Sequence, residues 1–443
     1  MNAFFRRVFR GAQPEQPWND REPIREELFG VERLEEHARS LAIAQPVTPG
    51  SPRGHPLAGR LADNAAALLD AHRKISKAID QGRPITPAAE WLIDNYHLVE
   101  KQVREIRADL PPGFYRQLPK LADGPFVGYP RVFGIAWAFV AHADSRFDVE
   151  TLCRYVRAYQ EIQPLTIGEL WAVSITLRIV LIENLRRLAG RIVDSYSARQ
   201  DADSLADRLL GAGGSTPEPA PMILADLERM PLPDAFAVEL VHRLRDQDPK
   251  VTPVLTWLDG RLAAQGTSAD TVVREEHQRQ GSATVTVRNI ITSMRAISDV
   301  DWSELFERMS FVDDVFSSGA HFLEMDFPTR NLYRSAVEEL ARGSEHAETD
   351  IARRAVLATK QVSHEDMAPD RERRSDPGYH LLTGGRHAFE KSIGYQSPPQ
   401  KWFGRSGRAL GIRGYVGEAQ SLLAIFWPYR YSCLQNQGSI EIG

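Results

Sequence analysis

An all-α fold of helical hairpins packed in two subdomains is what this sequence predicts, and three observations predict it. Nearly every apolar segment repeats with a helical period. Capping residues stand ahead of several of those segments. No strand pattern alternates with the helices, which excludes a doubly wound sheet. The one strand-like run, Thr284-Val285-Thr286-Val287, lies inside a helical pattern and reads as helix.

Residues 57–81 place Leu57, Leu61, Leu68, Leu69, Ile75 and Ile79 near one face, and Gly82 stops the helix. Thr86 caps the next helix with Pro87 in its first turn, where the missing N–H costs nothing. That helix carries Trp91, Leu92, Asn95, Leu98, Val99, Gln102, Val103 and Ile106 to a break at Pro111-Pro112-Gly113. Thr166-Ile167-Gly168-Glu169 is a capping box ahead of the apolar run 170–188. Residues 211–221 (GAGGSTPEPAP) read as a linker. Beyond them the helical pattern covers 234–246, 252–264 and 269–300. Asp301-Trp302-Ser303-Glu304 forms another capping box, and Thr329 or Asp326 caps a helix ending near Arg342-Gly343. The expected organisation is a mostly irregular arm over 1–56, helical subdomains over 57–210 and 222–395 joined by the linker 211–221, and a basic, then irregular tail over 396–443.

Charge and cysteine content exclude several classes of function. With 54 Lys+Arg against 59 Asp+Glu the 443-residue chain has a net charge of −5, so its surface is not built as a whole to hold nucleic acid. Only Cys153 and Cys433 are present, which excludes a disulfide scaffold or a cysteine-ligated metal and favours a reducing compartment. The apolar runs 134–143 and 170–182 are shorter than the roughly 20 residues a spanning helix needs and read as buried core helices. The basic, aromatic N-terminus lacks the apolar stretch of a secretory signal. The expected location is cytoplasmic.

Catalytic signatures are absent: there is no phosphate-binding glycine loop, HExxH or GxSxG. Asp201-Ala202-Asp203 has the spacing that holds a divalent metal on a nucleotide-sugar diphosphate, but on a polar helix start with no preceding strand it reads as first-turn carboxylates favoured by the helix dipole. Asp313-Asp314 and Glu338-Glu339 read as solvated or capping acids, and His72 and His97 as core or subunit-facing histidines. No catalytic or metal-ligating residue is assigned.

Three stretches are dense enough to carry binding. In the first, Tyr115, Arg116, Lys120, Tyr129 and Arg131 alternate with Pro and Gly on a non-helical backbone. Guanidinium forks beside flat rings suit an anionic or sugar-bearing partner; the plainer alternative is an ordered loop whose arginines pair with helix ends. The second candidate surface is Asp326, Arg330 and Arg334, where a capped helix start with local pairing is the alternative. The third is residues 371–413, with nine Lys/Arg against three Asp/Glu, suited either to solvent or to an anionic membrane surface.

Several runs resemble the N-terminal cytoplasmic region of bacterial cyclic β-1,2-glucan synthases. They are Trp91-Leu92-Ile93-Asp94-Asn95-Tyr96-His97, YRQLPKL at 115–121, GYPRVFGIAWAFVAHADSRF at 128–147, PLTIGELWAVSITLRIVLIENLRRLA at 164–189, MDFPTRNLYRSAVEELARGS at 325–344, and Asp376-Pro377-Gly378-Tyr379. The resemblance spans residues 57–415. It implies an inner-membrane protein that polymerises glucose from UDP-glucose with a divalent metal, then cyclises the product. It implies that this helical region lies at the cytoplasmic face and that the remaining synthase domains are its partners. No UDP-binding, metal-binding or acid/base residue of that family can be placed here, so the chain itself is expected to need no cofactor and to be a non-catalytic module serving assembly or regulation. The competing reading is an independent helical interaction module with no part in glucan synthesis. After Gly414-Tyr415 the chain departs from the family's hydrophobic spanning helix and reads as truncated or frame-shifted. Oligomeric state is not legible in the sequence.

Overall fold

A computed structural model describes residues 21–48, 57–109, 115, 117–211, 216–228, 232–245, 251–318, 320–360 and 373–396. The protein is all-α: the described residues form eighteen helices and a single pair of two-residue strands. By packing, the chain divides into two compact units, Met1–Ser310 and Phe311–Gly443.

The first unit holds twelve helices: α1 (Val31–Ala44), α2 (Leu57–Asp80), α3 (Pro87–Asp94), α4 (Tyr96–Asp109), α5 (Arg131–His142), α6 (Val149–Gln160), α7 (Ile167–Leu210), α8 (Ala220–Leu227), α9 (Asp234–Leu244), α10 (Thr252–Ala264), α11 (Ala269–Asp299) and α12 (Trp302–Met309). The 44-residue α7 is its axis, with α2, α4, α5, α9 and α11 packed along it. Thr166 and Glu169 start α7 with a complete capping box, and Gly211 ends it in the left-handed region at φ 69°. Thr284–Val287 lies within α11, as its helical surroundings predict. The strands β1 (Val47–Thr48) and β2 (Lys120–Leu121) pair antiparallel, Val47 opposite Leu121. Gly134 on α5 admits that ribbon closely, since a Cβ there would stand 2.8 Å from Gln45 Nε2.

Three local expectations are revised. The helix starting at Pro87 breaks at Asn95, whose side-chain amide donates to the Trp91 carbonyl at 2.9 Å and so competes with the helical ladder. Residues 1–56, expected to be mostly irregular, contain α1, and its Leu34, Ala38 and Ala42 are buried. The division of the chain falls after Ser310 rather than at 211–221. The second half of α7 packs with α8, α9 and α10 in one apolar cluster (Ala202, Leu205, Phe236, Leu240, Leu258), so the 211–221 segment connects helices of the same unit.

The second unit contains α13 (Phe311–Phe316), α14 (Ala320–Glu324), α15 (Phe327–Arg342), α16 (Glu348–Thr359), α17 (Pro377–Leu382) and α18 (Arg386–Ser392). Here α16 packs on α13 and α15, and α17 on α15, α16 and α18. Asp326, not Thr329, is the N-cap of α15, accepting from the Thr329 N–H at 3.0 Å. The expected tail over 396–443 lies, beyond residue 396, outside the described residues.

Candidate functional site

The loop expected to offer a cationic, aromatic surface is folded inward. Tyr115, Lys120, Tyr129 and Arg131 are only 9%, 6%, 3% and 5% exposed; Arg116 lies outside the described residues. Arg131 stands at the start of α5, and its guanidinium is spent on four internal bonds. Nε and Nη2 grip the Glu169 carboxylate at 2.8 and 2.5 Å; Nη1 donates to Gln163 Oε1 and Nη2 to the Pro164 carbonyl, each at 3.1 Å. Glu169 is the same residue that closes the capping box of α7, so one carboxylate both starts α7 and anchors α5. Burial works against the charge on Arg131, but the bond to Glu169 outweighs it and raises its pKa. Burial also raises the pKa of Tyr115 and Tyr129 well above the ordinary phenol range. Arg131 is thus an interior tie, and Tyr115, Lys120 and Tyr129 are buried beside it, the Tyr115 hydroxyl without a hydrogen-bond partner among the described residues.

The second candidate surface divides in the same way. Arg334 is fully buried and forks onto Asp313 with Nε–Oδ1 at 3.0 Å and Nη2–Oδ2 at 2.5 Å, beside the Phe327 ring. Asp313 is therefore a buried counter-ion, not a solvated acid. Asp326 is exposed and capping, and Arg330 is half-buried one turn along α15. Next to Arg334, Tyr333 donates to Asp376 Oδ1 at 2.5 Å, which also accepts the Gly378 N–H at 2.6 Å. The MDFPTRNLYR and DPGY runs thus bind α15 to α13 and α17.

Two further polar centres were not singled out in the sequence. Glu183, deep in α7, accepts from Arg60 (2.9 and 2.8 Å), Asn64 (2.8 Å), Arg186 (2.8 Å) and Arg187 (2.9 Å). Burial opposes its charge, yet the Arg60 bond and the Arg186 charge hold its pKa down to about 2. The second centre is the corner between α5 and α6, where Asp144 and Ser145 take φ of 49° and 61° although neither is glycine. Asp144 accepts from Thr286 Oγ1 at 2.7 Å and from the Asn289 amide. Ser145 Oγ accepts from Asn184 at 2.8 Å, and its carbonyl accepts from Ser293 Oγ at 2.8 Å. The available signal was the placement of Glu183 and Asn184 in an apolar helical run, where a buried polar group requires partners.

A cleft of about 990 Å³ lies in the first unit between the middle of α7, the start of α9 and α11. Its charged side chains are interlocked: Arg199 and Ser195 meet Glu276 at 3.3 Å, Gln280 donates to Glu276 at 2.8 Å, and Arg279 pairs with Asp234. No residue predicted to bind lines it. His72 is half-buried with its ring 4.2 Å from Tyr96, whereas His97, expected among apolar neighbours, is exposed.

The Asp201–Asp203 pair does not fit the divalent metal of a nucleotide-sugar site. Asp201 and Asp203 lie toward the C-terminal end of the 44-residue α7 rather than at a helix start, and Asp203 is paired with Arg243 at 3.3 Å. Among the described residues no three His, Cys, Asp or Glu side chains converge as ligands would, and no helix is long and apolar enough to cross a membrane.

No protein-family model matches the chain. The all-α fold, with the motif residues as its internal ties, accords with a similarity to part of a cyclic β-(1,2)-glucan synthase. The relative is NdvB of Rhizobium meliloti (strain 1021), 35% identical over 389 residues. That match takes in 87% of this chain and 14% of the relative's length, so the chain spans a small part of the protein it resembles.

Proposed function

We propose that the chain serves glucan synthesis as a non-catalytic helical module for assembly or regulation, making no glycosidic bond of its own. The observation that carries this reading is how the polar residues of the quoted runs are used. Arg131 and Glu169, Asp144 and Ser145, Glu183, Tyr333 and Arg334 spend their polar groups on one another or on neighbouring helices. Side chains committed in this way specify a rigid shape rather than act on a substrate. The similarity to NdvB supports the link to glucan. On this reading the partners are the remaining domains of such a synthase, which hold UDP-glucose and the divalent metal. The module lies at the cytoplasmic face of the inner membrane, with 371–413 toward anionic lipid. Within that segment Arg386 is already paired with Glu339 at 3.1 Å and Glu390 at 3.0 Å, so attraction rests on its other basic residues.

The chain alone, incubated with labelled UDP-glucose and Mg²⁺ or Mn²⁺, is expected to acquire no label and release no glucan; incorporation above a heat-denatured control overturns the reading. In a full-length synthase, replacing the residue aligned with Arg131 by Ala should lower glucan output in proportion to the assembled enzyme recovered. A fall in output per assembled molecule would instead place this loop in the reaction.

A further inference from the structure

Beyond its use as a framework, we propose that the surface pocket between the α5–α6 corner and α11 is a binding site for a phosphate group. The pocket, about 420 Å³, is lined by Arg146, Phe147, Arg288, Asn289, Thr292 and Ser293, together with Ala296. It carries two guanidinium groups and no carboxylate. Arg146 and Arg288 are both exposed, and among the described residues neither guanidinium has an ion pair or hydrogen bond, Arg146 acting on Asp148 only at longer range. This contrasts with the 990 Å³ cleft, where Arg199 and Arg279 are matched by Glu276 and Asp234 within the cleft itself.

What makes the pocket a built site is the frame beneath it. Two consecutive left-handed residues, Asp144 and Ser145, turn the chain sharply before Arg146. Backbone in that region is costly for a non-glycine residue and persists only where the surroundings enforce it. Here they do: Asn289 donates to the Asp144 carbonyl at 3.0 Å, Ser293 Oγ to the Ser145 carbonyl at 2.8 Å, and the Phe147 N–H to Ser293 Oγ at 2.8 Å. Thr292 Oγ1 turns back onto the carbonyls of Arg288 and Asn289. The amide and hydroxyls therefore fix the geometry of the corner against α11, and recognition is left to the two guanidiniums.

Two planar forks of N–H donors suit a tetrahedral oxyanion, which each can approach through two oxygens. The neighbouring acid offsets them only in part: the Thr151 hydrogen bonds do most to lower the Asp148 pKa, and the charge of Arg146 adds to them. Asp148 is held as the cap of α6 by Thr151, whose N–H and hydroxyl both donate to it, and Asp144 faces Thr286, Asn289 and Arg25. The ligand chemistry is a phosphate monoester or diphosphate, carried by a soluble molecule or by a lipid headgroup.

The test uses the full chain and its Arg146→Ala/Arg288→Ala variant, two exposed changes under which the thermal unfolding curve should be unaltered. Calorimetric titration with inorganic pyrophosphate and with UDP asks for a soluble source. Co-sedimentation with phosphatidylcholine vesicles, with and without phosphatidylglycerol, asks for a lipid. Binding in either arm that weakens with salt, and by about tenfold or more in the double variant, is the expected result. Binding equally tight in the variant, or none in either arm, overturns the site. If the variant melts lower, Arg288→Lys and Arg146→Lys, which keep charge but lose the fork, replace it; unchanged binding in both then overturns fork recognition.

Discussion

The two halves of α7 are one continuous helix built under different rules. Residues 167–189 are buried almost all round, and their polar members face one another or their neighbours: Glu169 with Arg131, Glu183 with three arginines, Asn184 with Ser145 and Ile24. Residues 192–210 bury a single stripe, Ala198, Ala202, Leu205, Ala206 and Leu209, and turn their acids and arginines outward to pairs such as Asp203–Arg243 and Arg208–Glu218. The contrast teaches that charge in this protein has two separable uses. In the first half each ion fixes which helix lies where; in the second it keeps an amphipathic helix soluble while apolar packing does the positioning.

The strongest way to break that contrast is to remove Glu183. In Glu183→Ala, Arg60, Arg186 and Arg187 would share a buried region without their common counter-charge. Loss of one partner of a buried pair costs about 3–5 kcal/mol, which urea denaturation of the first unit should register. A loss below about 1 kcal/mol would mean that the cluster relaxes into water and that the two halves do not differ. The pH dependence sharpens the point. The Glu183 pKa lies at about 2, below its ordinary 4.5, so the folded state gains stability from it above pH 4.5 and loses that gain as pH falls toward 2. Glu183→Gln should flatten that segment of the stability curve. A second window lies higher: burial, then the charge of His142, hold the His37 pKa down to about 4 from 6.5. The unfolded chain takes up that proton first, so stability is also lost between pH 6.5 and about 4, and His37→Phe should remove this slope alone.

In the second half of α7 apolar volume should matter instead. Leu205 is buried in the cluster that includes Phe236, Leu240 and Leu258, so Leu205→Ala should cost about 2–4 kcal/mol through transfer and cavity. Unlike Glu183→Gln, it should leave the acid slope unchanged; a changed slope would show that the two halves are not independent.

How much of this could be read beforehand depended on how local the cause was. Thr166 and Glu169 stand three residues apart and satisfy each other, so the start of α7 was legible; so were Pro87 behind Thr86 and the cap of Asp301 on α12. The fate of Arg131 was not, because its partners lie 32 to 38 positions away, and a Tyr/Arg/Pro run looks alike whether it faces solvent or a buried carboxylate. The same holds for Arg334 and Asp313, 21 positions apart: sequence shows an arginine after a capped start, while only packing shows that it points inward. Asp144 and Ser145 gave no warning, since nothing about an Ala-Asp-Ser-Arg run announces a left-handed pair held by α11. Asn95 was visible, but its side chain rather than its place in the periodic pattern decided where the helix broke.

A milder probe is Arg131→Lys, which keeps the charge beside Glu169 and removes the fork. Lysine cannot reach both Glu169 oxygens, the Gln163 side chain and the Pro164 carbonyl together, so the variant should lose about 2 kcal/mol while folding to the same helical content. Circular dichroism and urea midpoints would separate the two effects, and an unchanged midpoint would reduce the Arg131 site to simple charge balance.

The smallest effect should come from Asp203→Ala. Asp203 and Arg243 are both half-buried at the surface, and Arg243 keeps a second partner in Asp207, so removing Asp203 strands no charge. Surface pairs of this kind are worth about 0–1 kcal/mol and fade with ionic strength. Urea midpoints of the variant and the parent should therefore differ slightly at low salt and converge as salt rises above the physiological range. A difference of about 2 kcal/mol or more that survives high salt would make Asp203 a positioning charge like Glu183, and the line drawn across α7 would fall.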